Sequence, residues 1–169
     1  MLKTNTTRIP FFLTLIAGLI IVASACDDNG FNTVTYDEIG PYDTTGVQRF
    51  ESDQGLIIYF HEEGDGDIIA ESHDVRIRYT GRTPDGEIFD SSFRNGVDSP
   101  TTLRVGGMVR GFIQGLAGVP VDGQRMHAAR EGSQRTLVIP PELGYGNSSH
   151  QLNEDTLIFD IDVVSITSD

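Results

Sequence analysis

Apolar side chains in this chain recur at every second position. The longest such run is 156–166, where Leu157, Phe159, Ile161 and Val163 fall on one side and Asp160 and Asp162 on the other. A period of two marks an extended strand with one buried face, so this segment needs a sheet to lie in. The stretch 75–80 repeats the pattern, with Val75, Ile77 and Tyr79 alternating with Arg76, Arg78 and Thr80. One apolar and one wet face are predicted there. Shorter strands are expected at 56–60, 87–90, 102–105 and 135–139, separated by turn signals such as Glu63-Gly64-Asp65-Gly66-Asp67 and Thr83-Pro84-Asp85-Gly86. Only 111–117 has helical spacing, carried by Phe112, Ile113 and Leu116. So short a helix is unstable alone in water and must be held by packing. The expected fold class is α+β, a twisted antiparallel β-sheet wrapped around one short α-helix.

The two ends of the chain read differently. Lys3 and Arg8 precede an uncharged, mostly apolar run, 9–25. That run is shorter than the ~20 residues of a membrane-spanning helix and fits a secretory signal at 1–25. Cys26, the only cysteine, follows Ala23-Ser24-Ala25 directly. Small residues before such a cysteine resemble the lipobox of bacterial lipoproteins, in which the cysteine is lipidated, although Ala23 stands where leucine is usual. Ordinary cleavage at an A-x-A site is the other reading. Both cut before Cys26 and export the protein, and the lipid-anchored reading is preferred. It places the protein in the cell envelope, held to a membrane on the periplasmic or outer surface. Residues 26–50 read as a tether, with Ile39-Gly40-Pro41 and Thr44-Thr45-Gly46 breaking any periodicity. The folded domain is expected over 51–169.

Charge excludes one class of partner. The formal net charge is −13, and loss of Lys3 and Arg8 with the signal makes it −15. Nucleic acid would be repelled by such a surface. Lys3 is also the only lysine, a bias open to two explanations of equal weight, a saline habitat or a lysine-poor genome.

Three blocks carry the functional signal. They are Tyr79-Thr80-Gly81 followed by Phe89-Asp90-Ser91-Ser92, then Met108-Val109-Arg110-Gly111-Phe112, then Ile139-Pro140-Pro141-Glu142-Leu143-Gly144-Tyr145-Gly146. In this order and spacing they closely resemble the FKBP-type peptidyl-prolyl isomerases, over about 55–166. The resemblance implies an FKBP-like fold and an enzyme that twists X-Pro bonds without covalent chemistry, cofactor or metal. It implies one apolar hollow walled by Tyr79, Phe89, Asp90, Tyr145 and Phe159. Met108 and Val109 would hold the substrate main chain through the Val109 N–H, and Phe112 would form the floor. Proline-containing unfolded or exported polypeptides are the implied partners, and macrolides the candidate inhibitors.

Each of these residues also has a plainer reading. A lone phenylalanine is more often core than site, Tyr79 can be core with a satisfied hydroxyl, and Asp90 can cap the Ser91-Ser92 turn. Joint occurrence of the blocks favours the functional reading. The chain also departs from the family pattern. Phe112 replaces a frequent tryptophan, Thr101 an apolar residue, and the loop after Gly146 is short and lacks Ile-Pro-Pro. Leu152 is available to replace that apolar contact. These changes bear on substrate preference and macrolide affinity more than on fold, and a non-catalytic peptide-binding chaperone or envelope module using the same pocket is the alternative. Val119 to Ala129 reads as an insertion near the rim, either contacting substrate or a neutral surface addition, the latter preferred. His61, His73, His127 and His150 lack ligand spacing, so no metal site is expected. No dimerisation helix is visible, which makes a monomer the default.

Overall fold

The computed structural model describes residues 39–93 and 99–168, all within one compact unit, Phe31–Asp169. The signal, Cys26 and the tether up to residue 38 lie outside the described residues. Strands β1 (Gln48–Glu51), β2 (Ile57–Glu62), β3 (Asp74–Arg82), β4 (Ile88–Ser91) and β5 (Thr101–Arg104) come first. Helix α1 (Arg110–Ala117), β6 (Val119–Val121), β7 (Gln124–Met126), β8 (Gln134–Ile139) and β9 (Leu157–Ser168) follow. Seven strands form an antiparallel sheet in the order β1-β2-β8-β9-β3-β4, and β5 pairs the first half of β3. The α+β class with one short helix agrees with the sequence expectation.

The alternating pattern decides which way each strand faces. Leu157, Phe159, Ile161 and Val163 of β9 are buried beside Val75 and Ile77 of β3 and Leu137 and Ile139 of β8. Helix α1 closes this face with Phe112 and Leu116. It approaches closely because Gly111 and Gly115, one turn apart, lie against Ile139 and Leu137, where any added methyl would clash. One cation is buried on this side. The Arg135 guanidinium donates to the carbonyls of Gly115 (3.0 Å), His127 (2.6 Å) and Ala128 (3.1 Å) and lies 5.2 Å from the centre of the Phe60 ring. It thereby satisfies a late carbonyl of α1, where a positive charge also complements the helix dipole. Burial pushes this guanidinium down to about 10, so it stays charged at neutral pH.

Three features differ from the sequence expectation. The outer face of β3 and β9 is only partly wet. Segment 39–42 lies across it, tied by Arg82 Nη2 donating to Ile39 O (2.7 Å) and by the Tyr42 N–H donating to Asp160 (3.2 Å). Beneath it Arg82 pairs with Asp160 at 2.7 Å, each side chain 6% exposed. Thr136 Oγ1 donates to the same carboxylate at 2.7 Å and also contacts His61 Nε2 at 2.9 Å. Burial, then Asp162 and Asp160, push the Tyr42 hydroxyl up to about 12, which keeps it neutral beside them. Secondly, residues 48–50, read as tether, belong to β1, which pairs with β2 from Gln48↔Phe60 to Glu51↔Ile57. Ordered chain therefore begins before the expected limit near Phe50. Thirdly, the insertion 119–129 contains the ribbon β6–β7. Asp122 (φ 48°) and Gly123 (φ 79°) both take left-handed backbone at its tip, the pattern of a type I′ hairpin turn.

Removing one member of a buried ion pair costs ~3–5 kcal/mol, because the other charge stays desolvated. Arg82→Met is therefore expected to lower the unfolding free energy by about 3 kcal/mol in urea titration. A loss under about 1 kcal/mol would mean the pair behaves like an exposed one.

Candidate active site

The candidate site is built on the C-terminal half of β3, the facing stretch of β9, and β4. In the β3–β9 ladder Gly81 stands opposite Phe159, and in the β3–β4 ladder it stands opposite Asp90. The Phe89 and Phe159 rings occupy the space that a side chain at position 81 would fill. A methyl there would come within 2.7 Å of Phe159 Cε1 and 2.8 Å of Phe89 Cζ. The glycine of Tyr79-Thr80-Gly81 is thus a seat for two rings, a role its presence in the motif does not disclose.

Phe159 is the hub of the cluster. The rings of Phe112, Phe89 and Tyr79 surround it at centroid distances of 5.2, 5.5 and 6.2 Å. The first two meet it edge to face, at 88° and 87°, the arrangement aromatic quadrupoles favour. The sequence reading expects rings around one hollow. Instead they pack on one another, with Phe159 in the middle. Phe112 is 0% and Phe159 4% exposed, whereas Tyr79 and Phe89 are half-buried. The expected floor residue Phe112 offers no surface of its own and supports Phe159 from beneath. The measured hollows lie elsewhere. One of about 140 Å³ takes in Tyr79 together with Tyr42, Arg78 and Phe93, and others adjoin the ribbon.

Asp90 is fixed beside the rings. Tyr79 Oη donates to its Oδ2 at 2.9 Å, and the Ser91 N–H donates to Oδ1 at 2.9 Å. The two serines that follow clip β4 to β3. Ser92 Oγ accepts the Tyr79 N–H (3.0 Å), and Ser91 Oγ and the Ser92 N–H both donate to the Tyr79 carbonyl (3.1 and 2.9 Å). Asp90 therefore both caps its turn and holds the Tyr79 hydroxyl; the two readings of this residue do not compete.

The remaining predicted residues frame the cluster. Met108 and Val109 pack partly buried against the core, and Val109 is the N-cap of α1. Its carbonyl accepts from Ile113; among the described residues no acceptor takes its N–H. Tyr145 follows the turn Pro141–Leu143 and also packs against the core. Its ring stacks on His150, 3.9 Å between centroids and 15° between planes, rather than on Phe159. His150 carries no role in the sequence reading, where only metal spacing was weighed. It is pinned by its own N–H to Ser148 Oγ (3.2 Å) and by the Leu152 N–H to its Nδ1 (3.1 Å). Leu152 reaches the core from this loop. Among the described residues no cluster of His, Cys, Asp or Glu could hold a metal ion.

Comparison with known proteins agrees with this geometry. A family model described as FKBP-type peptidyl-prolyl cis-trans isomerase matches residues 66–164. The FKBP-type 22 kDa peptidyl-prolyl cis-trans isomerase of Escherichia coli strain K12 is 35% identical over 124 residues, 72% of this chain and 53% of that protein. A probable FKBP-type isomerase of Haemophilus influenzae is 31% identical over 66% of this chain and 43% of its own length. The FK506-binding protein of Neisseria meningitidis serogroup B is 32% identical over 66% of this chain and 96% of its own. The chain thus spans about half the length of the first two. Among solved structures, AtFKBP13 superposes with a TM-score of 0.60 at 28% identity, covering 71% of this chain and 99% of that one. FkpA from Escherichia coli gives 0.59 at 28% identity, covering 71% and 52%.

Gly81→Ala is expected to cost about 1–3 kcal/mol, the range for overpacking a tight core, because its methyl must displace both rings. Adding Phe89→Leu should return part of that loss in urea unfolding. A penalty that the smaller side chain leaves untouched would contradict the seat.

Proposed function

This chain belongs to the FKBP-type peptidyl-prolyl cis-trans isomerase family, and on that premise we propose that it accelerates cis–trans exchange at X-Pro bonds of polypeptides. The observation that carries the reading is the ring cluster centred on Phe159, with Asp90 held at its edge by Tyr79. Peptide bonds resist rotation because resonance must be lost, a barrier of ~18–20 kcal/mol, and X-Pro exchange takes tens to hundreds of seconds unaided. A catalyst needs no nucleophile. It must bind the twisted amide better than either planar form.

The residues supply that preference in separate ways. The half-buried faces of Tyr79 and Phe89 take the proline ring and displace water from the amide. Stripped of water, the carbonyl loses hydrogen bonds that stabilise its charge-separated planar form. The Asp90 carboxylate adds to this, since a planar amide oxygen carries more negative charge than a twisted one. Phe159 and Phe112, buried behind them, keep the wall from yielding. The Val109 N–H anchors the substrate main chain, Met108 flanks it, and Tyr145 donates its hydroxyl to a substrate carbonyl. Leu152 provides the apolar contact of the shortened loop. Smaller than tryptophan at its position, Phe112 leaves macrolides as weaker inhibitors than for tryptophan-bearing relatives.

The wider setting follows from the ends of the chain. Lys3, Arg8, the uncharged run 9–25 and Cys26 support an exported protein, lipidated on Cys26 and working as a monomer on exported clients in the cell envelope. Residues from 27 to the first ordered segment would tether the domain to the membrane. Mass spectrometry of the mature protein is expected to show a diacyl- or triacylglyceryl-sized addition on Cys26. An unmodified N-terminal Cys26 would leave export without an anchor.

The isomerase is tested with a four-residue prolyl peptide and the full-length chain. Phe89→Ala is expected to lower kcat/KM at least tenfold, each factor of ten being about 1.4 kcal/mol of transition-state binding. A parent protein with native circular dichroism and a rate equal to buffer would end the proposal.

A further inference from the structure

The ribbon β6–β7 stands clear of the main sheet. From Pro120 to Met126 its residues are exposed, Val121 at 42%, and its strands pair only with each other among the described residues. A hollow of about 420 Å³ opens between ribbon and body, lined by Phe50, Gln54, Arg110, Gln114, Pro120 and Val121 among others. A second, of about 200 Å³, shares Arg110, Gln114 and Pro120 with it. Shared walls make the two one trough.

An unanswered acceptor lies in that trough. Gln114 is 6% exposed. Its Nε2 donates to Gln54 Oε1 at 3.3 Å, but among the described residues nothing donates to its own buried Oε1. A buried amide carbonyl without a donor is costly, on the order of 1–3 kcal/mol. The trough therefore favours a ligand that brings an N–H together with apolar surface to cover Val121, Pro120 and Phe50. Its charges nearly cancel, Arg110 and Arg125 facing Glu51, Asp53 and Glu71, so it selects neither an anion nor a cation.

We propose that an extended segment of the client polypeptide lies in this trough, with a backbone N–H donating to Gln114 Oε1 and an apolar side chain against Val121. The inference rests on the isomerase reading above. The client is the occupant because the trough continues the site: Arg110, which lines both hollows, directly follows Val109, the proposed main-chain anchor. From Val109 to Gln114 the helix rises about 7.5 Å, a span of two or three extended residues. A chain held at the rings and passing the N-terminal end of α1 meets the trough at once. An extended chain presents backbone N–H groups and side chains in alternation and can pair with a free strand edge, which matches the ribbon beside an isolated acceptor.

The test compares two substrates on the full-length chain. A four-residue prolyl peptide reaches only the rings, whereas a reduced, alkylated protein whose refolding is limited by prolyl exchange reaches both. Gln114→Leu and Val121→Ser, made separately, are expected to raise KM for the protein at least fivefold while changing kcat/KM for the peptide less than twofold. Val121 is exposed, so its variant carries the test if Gln114→Leu fails to fold. No change with the protein, or equal losses on both substrates, overturns the trough. Absence of peptide turnover in the parent would instead sink the isomerase reading. The trough is then read by a photocrosslinker at Val121, where linkage to the unfolded protein supports it, and linkage to residues 1–38 or to a second copy overturns it.

Discussion

Gly81 lies opposite Phe159 in the central ladder of the sheet, and the missing side chain leaves room for two aromatic rings. Most of the site depends on that register. A slip of one residue between β3 and β9 would turn Phe159 outward and Asp160 inward. It would dissolve the ring cluster on one face and the Arg82–Asp160 pair on the other in a single step. The two faces therefore specify the same pairing independently. The inner one does so by apolar burial, and the outer one by a charge pair that finds its partner only in this alignment.

The sheet is unusual in how it treats charge. Its outer face carries Arg78, Arg82, Asp160 and Asp162 close together, and segment 39–42 covers part of them. Its inner face holds Arg135 among apolar side chains, satisfied by carbonyls at the end of α1 and beyond the ribbon. Buried guanidinium groups are tolerated where their donors meet fixed acceptors. Here the acceptors belong to segments with little regular structure of their own, so each arginine fastens a loop to the sheet.

Rigid and adjustable parts are separated in the candidate site. Phe112, Phe159 and Gly81 belong to the packed core, with no freedom to change volume without cost. Tyr145, His150 and Leu152 sit on a loop held by its own short hydrogen bonds. The ribbon β6–β7 and its trough stand further out still. Recognition can vary on these outer parts while the ring cluster stays fixed, the usual division between scaffold and loops.

Local pattern made much of this legible beforehand. Alternation marked 75–80, 135–139 and 156–166 as strands, helical spacing marked 111–117, and the three blocks identified the rings and Asp90 as neighbours. What escaped was set by contacts between distant positions. Segment 39–42 looks like tether because nothing in its own residues announces that Asp160, 118 residues from Tyr42, will bind it. β1 is short and has no periodicity of its own, and β2 supplies the pairing that defines it. The Asp122-Gly123 turn was readable, but the direction of its ribbon was not. His150 gains meaning only from the Tyr145 ring stacked on it. The amino-acid order alone settled which faces are apolar, since a period of two or of 3.6 is a property of neighbours along the chain. Only the folded chain decided which polar face is covered, that Phe159 fills the centre instead of lining a hollow, and that Gln114 is left with an unused acceptor. Those outcomes depend on surfaces that meet solely after the sheet has closed on its helix.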